Sequence, residues 1–128
     1  MDQRPIVYVV DDDPSVRRAL VRLIRAAGFD AAASETAPDF LASDHSRRPA
    51  CLVLDVRLPG MSGPELQRRL AVSEPDLRVV AITAHGDEGL RRQMLDTGAV
   101  AFLSKPFDDG ELLEAIDRAL GPCSYPAS

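Results

Sequence analysis

The chain has 128 residues, of which 45% are hydrophobic and 27% are charged, a balance that indicates one globular domain and argues against disorder. Its formal net charge of −5 disfavours nucleic-acid binding through the whole surface. The longest apolar runs have five residues, whereas a membrane-spanning helix needs about 20. No secretory signal precedes the first apolar run, so Cys51 and Cys123 are predicted to be free thiols of a cytoplasmic protein.

Five short apolar segments are the candidates for β-strands, and most of them are continuous runs rather than alternating patterns. Such runs are typical of strands buried on both faces, as in a parallel sheet that is covered by helices. The second segment is the weakest of the five. The segments are Ile6–Val10, Asp30–Ala33, Cys51–Leu54, Val79–Ile82 and Val100–Leu103.

The first helix is predicted between an N-cap at Asp13, which precedes Pro14, and an end at Gly28. Residues at helical spacing divide it into an apolar face and a basic face. The apolar face consists of Val16, Ala19, Leu20, Leu23, Ile24 and Ala27. The basic face consists of Arg18, Arg22 and Arg25.

Two further helix starts are marked by capping residues. Ser62 is followed by Glu65 three positions later, and Asp108 is followed by Glu111 at the same spacing. Strand and helix signals thus alternate five times along the chain. This order predicts an α/β fold, a five-stranded doubly wound parallel sheet with five helices, in a flavodoxin-like architecture.

Polar residues follow four of the predicted strands. Asp11 and Asp12 end the first, Asp55 ends the third, Thr83 ends the fourth, and Lys105, the only lysine of the chain, follows the fifth. In an open parallel sheet, functional groups gather at the carboxyl ends of the strands. We therefore expect three carboxylates, a hydroxyl group and an ammonium group to share one cleft.

This set of groups suits phosphoryl transfer. Clustered carboxylates repel each other unless a cation joins them, and an all-oxygen site favours Mg²⁺ over Zn²⁺. A metal ion, an ammonium group and a hydroxyl group can stabilise the charge of a transferring phosphoryl group. One carboxylate can then act as the nucleophile and form an acyl phosphate.

Each of these residues also has a purely structural interpretation. Asp13 is best explained as a helix cap, Asp55 alone could be a turn residue, and Lys105 alone could be an exposed lysine. The functional interpretation is favoured because four strand ends carry complementary groups at once.

Four stretches of this sequence resemble the receiver domain of two-component response regulators, and the second and fourth are most similar to FixJ/NarL-type regulators. The resemblance extends from about residue 5 to about residue 120, and its strength lies in the whole set of stretches in this order. The stretches are Val9–Asp12, Leu54–Gly63, Ile82–Ala84 and Lys105–Phe107.

The resemblance implies a role for each residue of the predicted cleft. Asp55 corresponds to the phospho-acceptor. Asp12, Asp55 and the backbone carbonyl of Arg57 would bind Mg²⁺ directly, and Asp11 would act mainly through water. Lys105 would pair with the phosphoryl oxygens.

The resemblance also implies how the signal is transmitted and how long it lasts. Thr83 and Phe102 correspond to the switch residues, and Pro106 to a cis proline. Arg57 and His85 occupy the two positions that tune dephosphorylation. We expect the bulky Arg57 side chain to shield the phosphate, whereas His85 either faces solvent or lies near the phosphate.

The implied function is that of a phospho-accepting receiver and not of an enzyme beyond its own phosphorylation and dephosphorylation. Its implied partners are a sensor histidine kinase or phosphotransfer domain and a second copy of the chain, through helix 4, strand 5 and helix 5. We expect no membrane contact and no direct nucleic-acid binding. The basic face of the first helix is either a solvated surface or a docking surface for the kinase.

Residues 1–120 are expected to form the receiver domain and residues 121–128 a short tail, with no effector domain in this chain. It would then be either a stand-alone receiver or the receiver part of a longer regulator. Two alternatives remain. One is a phosphate-independent interaction module with the same fold. The other is an aspartyl-phosphate phosphatase of the haloacid-dehalogenase type, which Arg57 disfavours because an acid would be needed at that position.

Overall fold

The computed structural model describes residues 4–57, 61–83 and 88–121, in which strands and helices alternate along the chain. The five strands are β1 (Ile6–Val10), β2 (Asp30–Ser34), β3 (Ala50–Asp55), β4 (Arg78–Thr83) and β5 (Ala101–Ser104). The five helices are α1 (Pro14–Ala26), α2 (Ala37–Ala42), α3 (Gly63–Ser73), α4 (Glu88–Asp96) and α5 (Asp109–Leu120).

The strands form one all-parallel sheet in the order β2-β1-β3-β4-β5. β1 and β3 are buried along their whole length, as their continuous apolar runs predicted. The α/β fold with a doubly wound sheet is therefore confirmed. The structure shifts β5 by one residue relative to the expected Val100–Leu103, because its pairing with β4 begins at Ala101, opposite Val80, and continues to Ser104, opposite Thr83.

Two layers of apolar side chains lie on opposite faces of the sheet. On one face α2, α3 and α4 pack with buried residues such as Phe40, Leu66 and Met94. On the other face α1 and α5 pack with buried residues such as Ile24 and Ile116. Alternate residues of the central strands enter opposite layers, so both faces of the sheet are covered there, whereas the edge strand β2 exposes Ala32 and Ala33.

Helix α1 begins as predicted, because the side chain of Asp13 accepts hydrogen bonds from the N–H groups of Ser15 (2.8 Å) and Val16 (3.3 Å). Its predicted apolar face is correct at Leu20 and Ile24, which are buried. It is wrong at Ala19 and Ala27, which are exposed. Ala19 lies at the margin of the stripe and lines a surface groove, and Ala27 is the C-cap beyond the last helical turn.

The other predicted helix starts are also present. Ser62 caps α3 by accepting from the N–H of Glu65 (3.3 Å). Asp108 and Glu111 form a reciprocal capping box at α5. Gly28 follows α1 with φ of 99°, in the left-handed region that favours glycine.

Cys51 lies in β3 as a free, fully buried cysteine, and burial raises the pKa of its thiol to about 12. Cys123 and the predicted tail from residue 122 onwards lie outside the described residues. Within the described part of the chain, the longest helix has 13 residues, and none is long and apolar enough to cross a membrane.

Candidate functional site

The structure brings the acidic residues at the ends of β1 and β3 together at the carboxyl edge of the sheet. Because these strands are neighbours, Asp11, which follows β1, lies beside Asp55, the last residue of β3. Carboxylate oxygens of Asp11, Asp12 and Asp55 lie within 4.8 Å of one another. Asp11 and Asp55 are buried, whereas Asp12 is exposed. The cluster therefore has two carboxylates set into the sheet and one at its mouth.

Lys105 places its ammonium group against this cluster. Its Nζ lies 3.3 Å from Asp11 Oδ2 and 3.7 Å from Asp55 Oδ2. Lys105 follows β5, which is separated from β3 by β4, so only a long side chain can reach both carboxylates. The peptide bond between Lys105 and Pro106 is cis, as the family resemblance implied.

The electrostatic environment of Asp55 disfavours its charged form. Burial is the largest cause of its raised pKa, and the negative charges of Asp11 and Asp12 act in the same direction. The Arg57 N–H, which donates to Asp55 Oδ1 (3.0 Å), and the Lys105 ammonium group oppose this shift. One ammonium group facing three carboxylates leaves the cluster with excess negative charge, a surrounding that attracts a cation.

Asp11 is held by more bonds than the sequence indicated. Its Oδ1 accepts from the Asp13 N–H (2.9 Å), and its backbone carbonyl accepts from Arg17 Nη1 (2.8 Å). The sequence pattern assigns Arg18, Arg22 and Arg25 to the basic face of α1 and predicts no role for Arg17. The available signal was its position in the first turn of α1, where a long side chain can reach back to the end of β1.

Thr83 and Phe102, the predicted switch residues, lie on the same face of the sheet. Thr83 is fully buried at the end of β4, and its carbonyl accepts from the Lys105 N–H (2.7 Å). Phe102 pairs with Ala81, two residues before Thr83, and is half-buried against the layer that includes Met94 of α4. Both side chains therefore face the α3–α4 layer, where a change near Asp55 could be passed to α4.

Of the two predicted tuning residues, Arg57 is described and His85 is not. Arg57 has an exposed side chain, while its backbone N–H is bonded to Asp55. His85 lies outside the described residues, as do residues 58–60 of the second stretch and Ala84 of the third. The choice between the two interpretations of His85 therefore stays open.

The donor set of the cluster fits Mg²⁺. Its converging ligand atoms are all carboxylate oxygens, which hard cations prefer, and within the described part of the chain no histidine or cysteine, the ligands that favour Zn²⁺, joins them. The exposed position of Asp12 leaves room for the water molecules that Mg²⁺ retains. Asp12 and Asp55 are thus suited to hold this ion.

The fold and the strand-end cluster define a class of small α/β signalling domains, and comparisons with known proteins agree. A family model described as the response regulator receiver domain matches residues 7–117. Nodulation protein W of Bradyrhizobium diazoefficiens is 45% identical over 116 residues, 91% of this chain and 51% of that protein. The transcriptional regulatory protein FixJ of Rhizobium meliloti is 39% identical over 113 residues, 88% of this chain and 55% of that protein.

Solved structures agree as well. The crystal structure of FixJ-N superimposes with a TM-score of 0.85 at 38% identity and covers 92% of this chain and 94% of that one. The chain belongs to the response regulator receiver family and is similar to FixJ-type receivers. It spans about half the length of the curated relatives it matches.

Proposed function

We propose that this receiver accepts a phosphoryl group on Asp55 in a Mg²⁺-dependent reaction with a phosphohistidine of a sensor histidine kinase or phosphotransfer domain. The observation that carries the proposal is the juxtaposition at Asp55. Its buried carboxylate lies within 4.8 Å of two further carboxylates and 3.7 Å from the ammonium group of Lys105. A nucleophile, a cation site and a positive charge are thus within reach of one another.

In the proposed step, an Asp55 carboxylate oxygen attacks phosphorus and forms an acyl phosphate. The phosphorus–nitrogen bond of the phosphohistidine breaks, and its electron pair returns to the imidazole ring. Asp55 Oδ1 accepts the Arg57 N–H, whereas Oδ2 faces Lys105 and is the oxygen we assign as the nucleophile. The Lys105 ammonium group would then pair with the oxygens of the transferred group.

Asp12, Asp55 and the carbonyl of Arg57 are the groups that we propose to hold Mg²⁺, with Asp11 acting through water. When bound, the ion would supply positive charge at the phosphoryl oxygens. The Thr83 hydroxyl group would bond a phosphoryl oxygen. Asp11 also keeps the Lys105 ammonium group in place, because it bonds Nζ at 3.3 Å.

The experiment that tests this function is intact-mass measurement after incubation with acetyl phosphate and Mg²⁺. The parent should gain one phosphoryl group, and a chelator should prevent the gain. Asp55→Ala should gain none because it lacks the nucleophile. Asp13→Ala is the matched control, since it removes a carboxylate from the same region but leaves the acceptor, and it should be phosphorylated.

A phosphoryl gain in Asp55→Ala would contradict the assigned acceptor. If the parent gains none, transfer from a phosphorylated histidine domain becomes the deciding assay. Failure there as well would favour the alternative of a phosphate-independent interaction module. The phosphatase alternative is disfavoured by the arginine at position 57, where an acid would be required.

Arg57→Asn should shorten the lifetime of the phosphorylated protein. Arg57 follows the acceptor by two residues, its backbone N–H bonds Asp55 Oδ1, and its side chain is exposed. A shorter carboxamide would admit and orient water, so we expect dephosphorylation to accelerate by roughly 3- to 10-fold. The measurement is the decay of the phosphorylated mass after acetyl phosphate is removed. Equal decay rates in parent and variant would exclude shielding by Arg57.

Phosphorylation should change amide hydrogen exchange across residues 84–100, through Thr83 and Phe102. Phe102 packs against the layer that contains Met94 of α4, and Gly89 in the first turn of that helix costs about 1 kcal/mol relative to alanine. This combination favours a helix that is easily reordered. Exchange in α1 should stay constant and serves as the internal control. Unchanged exchange in α4 would contradict this route.

The remaining proposals concern the whole protein. We infer that residues 1–120 act as the receiver unit in the cytoplasm and that phosphorylation promotes a homodimer through α4, β5 and α5. The relatives carry names such as response regulator and transcriptional regulatory protein. Control of transcription through a separate output domain is accordingly the output that we propose for the signal.

A further inference from the structure

A cationic groove lies between α1 and β2, on the far side of α1 from the β5–α5 loop. Its volume is about 460 Å³, and β2 is an edge strand that pairs only with β1. None of the side chains that line it is aromatic or acidic. The lining residues are Arg17, Arg18, Val21, Arg22, Arg25 and Ala33.

The positive charge of this groove is neutralised only in part by the protein itself, since the carboxylate of Asp30 interacts electrostatically with Arg25. Some arginines outside the groove are paired with carboxylates, as Arg47 is with Asp30 at 2.6 Å and Arg48 with Glu74 at 2.6 Å. Across residues 4–57, 61–83 and 88–121, no carboxylate lies within 4.0 Å of the four groove arginines. Two of them donate only to backbone carbonyls, Arg17 to Asp11 and Arg25 to Ala31.

The arginines of the groove destabilise α1 by mutual repulsion as long as no negatively charged partner is bound. Arg18, Arg22 and Arg25 stand at spacings of four and three residues, where like charges on a helix repel each other. A negatively charged partner would relieve this repulsion, and it would be drawn to this face even though the chain as a whole has a net charge of −5.

We propose that the groove binds an extended, carboxylate-rich segment of a partner protein. A guanidinium group donates two parallel hydrogen bonds to one carboxylate, and four such groups could bind several acidic side chains in a row. Ala32 and Ala33 of β2 are exposed and small, so a second backbone can approach the edge of the sheet.

Single-stranded nucleic acid fits the groove less well than an acidic peptide. Sequence-tolerant nucleic-acid sites combine basic residues with aromatic side chains on which bases stack, and the lining here has none. A long phosphate backbone would also extend beyond the groove along a chain whose net charge is −5, and that part of it would be repelled. An acidic peptide needs neither aromatic stacking nor a basic surface beyond the groove.

The test is fluorescence anisotropy with a labelled peptide of about ten residues that alternates glutamate with threonine. The parent should bind it at about 20 mM salt and more weakly at about 150 mM salt. Arg18→Glu/Arg22→Glu should weaken binding by at least about tenfold. The matched control is Arg68→Glu/Arg69→Glu on α3, an exposed pair whose exchange gives the same net charge.

The control should bind within about threefold of the parent. Amide shifts in an NMR titration should be centred on Ala31–Ala33 of β2. Any one of three results would overturn the proposal. The two double variants could lose peptide affinity equally, the parent could fail to bind the peptide at low salt, or an oligothymidylate could bind more tightly than the peptide. The assay uses the unphosphorylated protein, so its result is independent of phosphoryl transfer to Asp55.

Discussion

Gly63→Ala is expected to lower the free energy of unfolding by about 2–3 kcal/mol, the cost of overpacking a rigid site. Gly63 is buried at the start of α3, and a Cβ atom there would lie 2.7 Å from the Cα of Val56. Its N–H also bonds the carbonyl of Val56 (3.2 Å). The clash is with backbone, which cannot move aside as a flexible side chain would.

This substitution should affect the site as well as the stability, because Val56 directly follows Asp55. We expect slower phosphorylation in the folded fraction of the variant. Urea denaturation measures the loss of stability.

Gly110→Ala is the matched control. Gly110 lies exposed in the first turn of α5, where a Cβ atom would approach only the Asp108 side chain, at 3.4 Å. The free energy of unfolding of Gly110→Ala should be higher than that of the parent by about 0.5–1 kcal/mol. A Gly63→Ala protein as stable as the parent would exclude close packing at this position.

Asp55→Asn is expected to raise the free energy of unfolding by about 1–2 kcal/mol at neutral pH without divalent cations. Burial and the charges of Asp11 and Asp12 disfavour the Asp55 carboxylate in the folded protein, and asparagine carries no charge. Lys105 keeps its contact with Asp11 in the variant. Mg²⁺ should stabilise the parent, whereas the variant should lose most of that effect.

The stabilisation should depend on pH in a defined direction. The pKa of Asp55 is raised above the 3.8 of an ordinary aspartate, so the folded protein retains this proton to a higher pH than the unfolded chain. The parent therefore loses stability as pH rises from about 3.8 through the raised native pKa. Below that window Asp55 is protonated in both states, and the advantage of the variant should disappear.

Thermal unfolding at several pH values measures this difference between variant and parent. Asp109→Asn is the control, because Asp109 is exposed in the first turn of α5 and its removal should change stability by less than about 0.5 kcal/mol. An advantage of Asp55→Asn that stays constant with pH would show that charge at Asp55 is not its cause.

Much of the fold was predictable because its signals are local. Continuous apolar runs identify buried strands wherever they lie, and a cap such as Asp13 acts within three residues of itself. The exposure of Ala19 and Ala27 was not predictable from the sequence. Alanine is compatible with both a buried and an exposed helical position, so only the packing of α1 decides its environment.

The candidate site divides in the same way. The positions of Asp11, Asp55, Thr83 and Lys105 at strand ends follow from the chain order, and the parallel sheet brings strand ends to one edge. The contact of Arg17 with the Asp11 carbonyl depends on the angle at which α1 leaves the sheet. The position of Arg17 in the first turn of α1 shows that its side chain can reach back to β1, but only the packing of α1 decides whether it does.

The sequence by itself determined the alternation of strands and helices, the caps, and the kinds of chemical group at the carboxyl edge, since each depends on residues near one another in the chain. Only the tertiary structure decided that Lys105 lies closer to Asp11 than to Asp55, at 3.3 Å against 3.7 Å. It also decided that Gly63 has no space for a Cβ atom and that the α1 arginines border an edge strand. Each of these depends on segments that are distant in sequence, which only packing brings into contact.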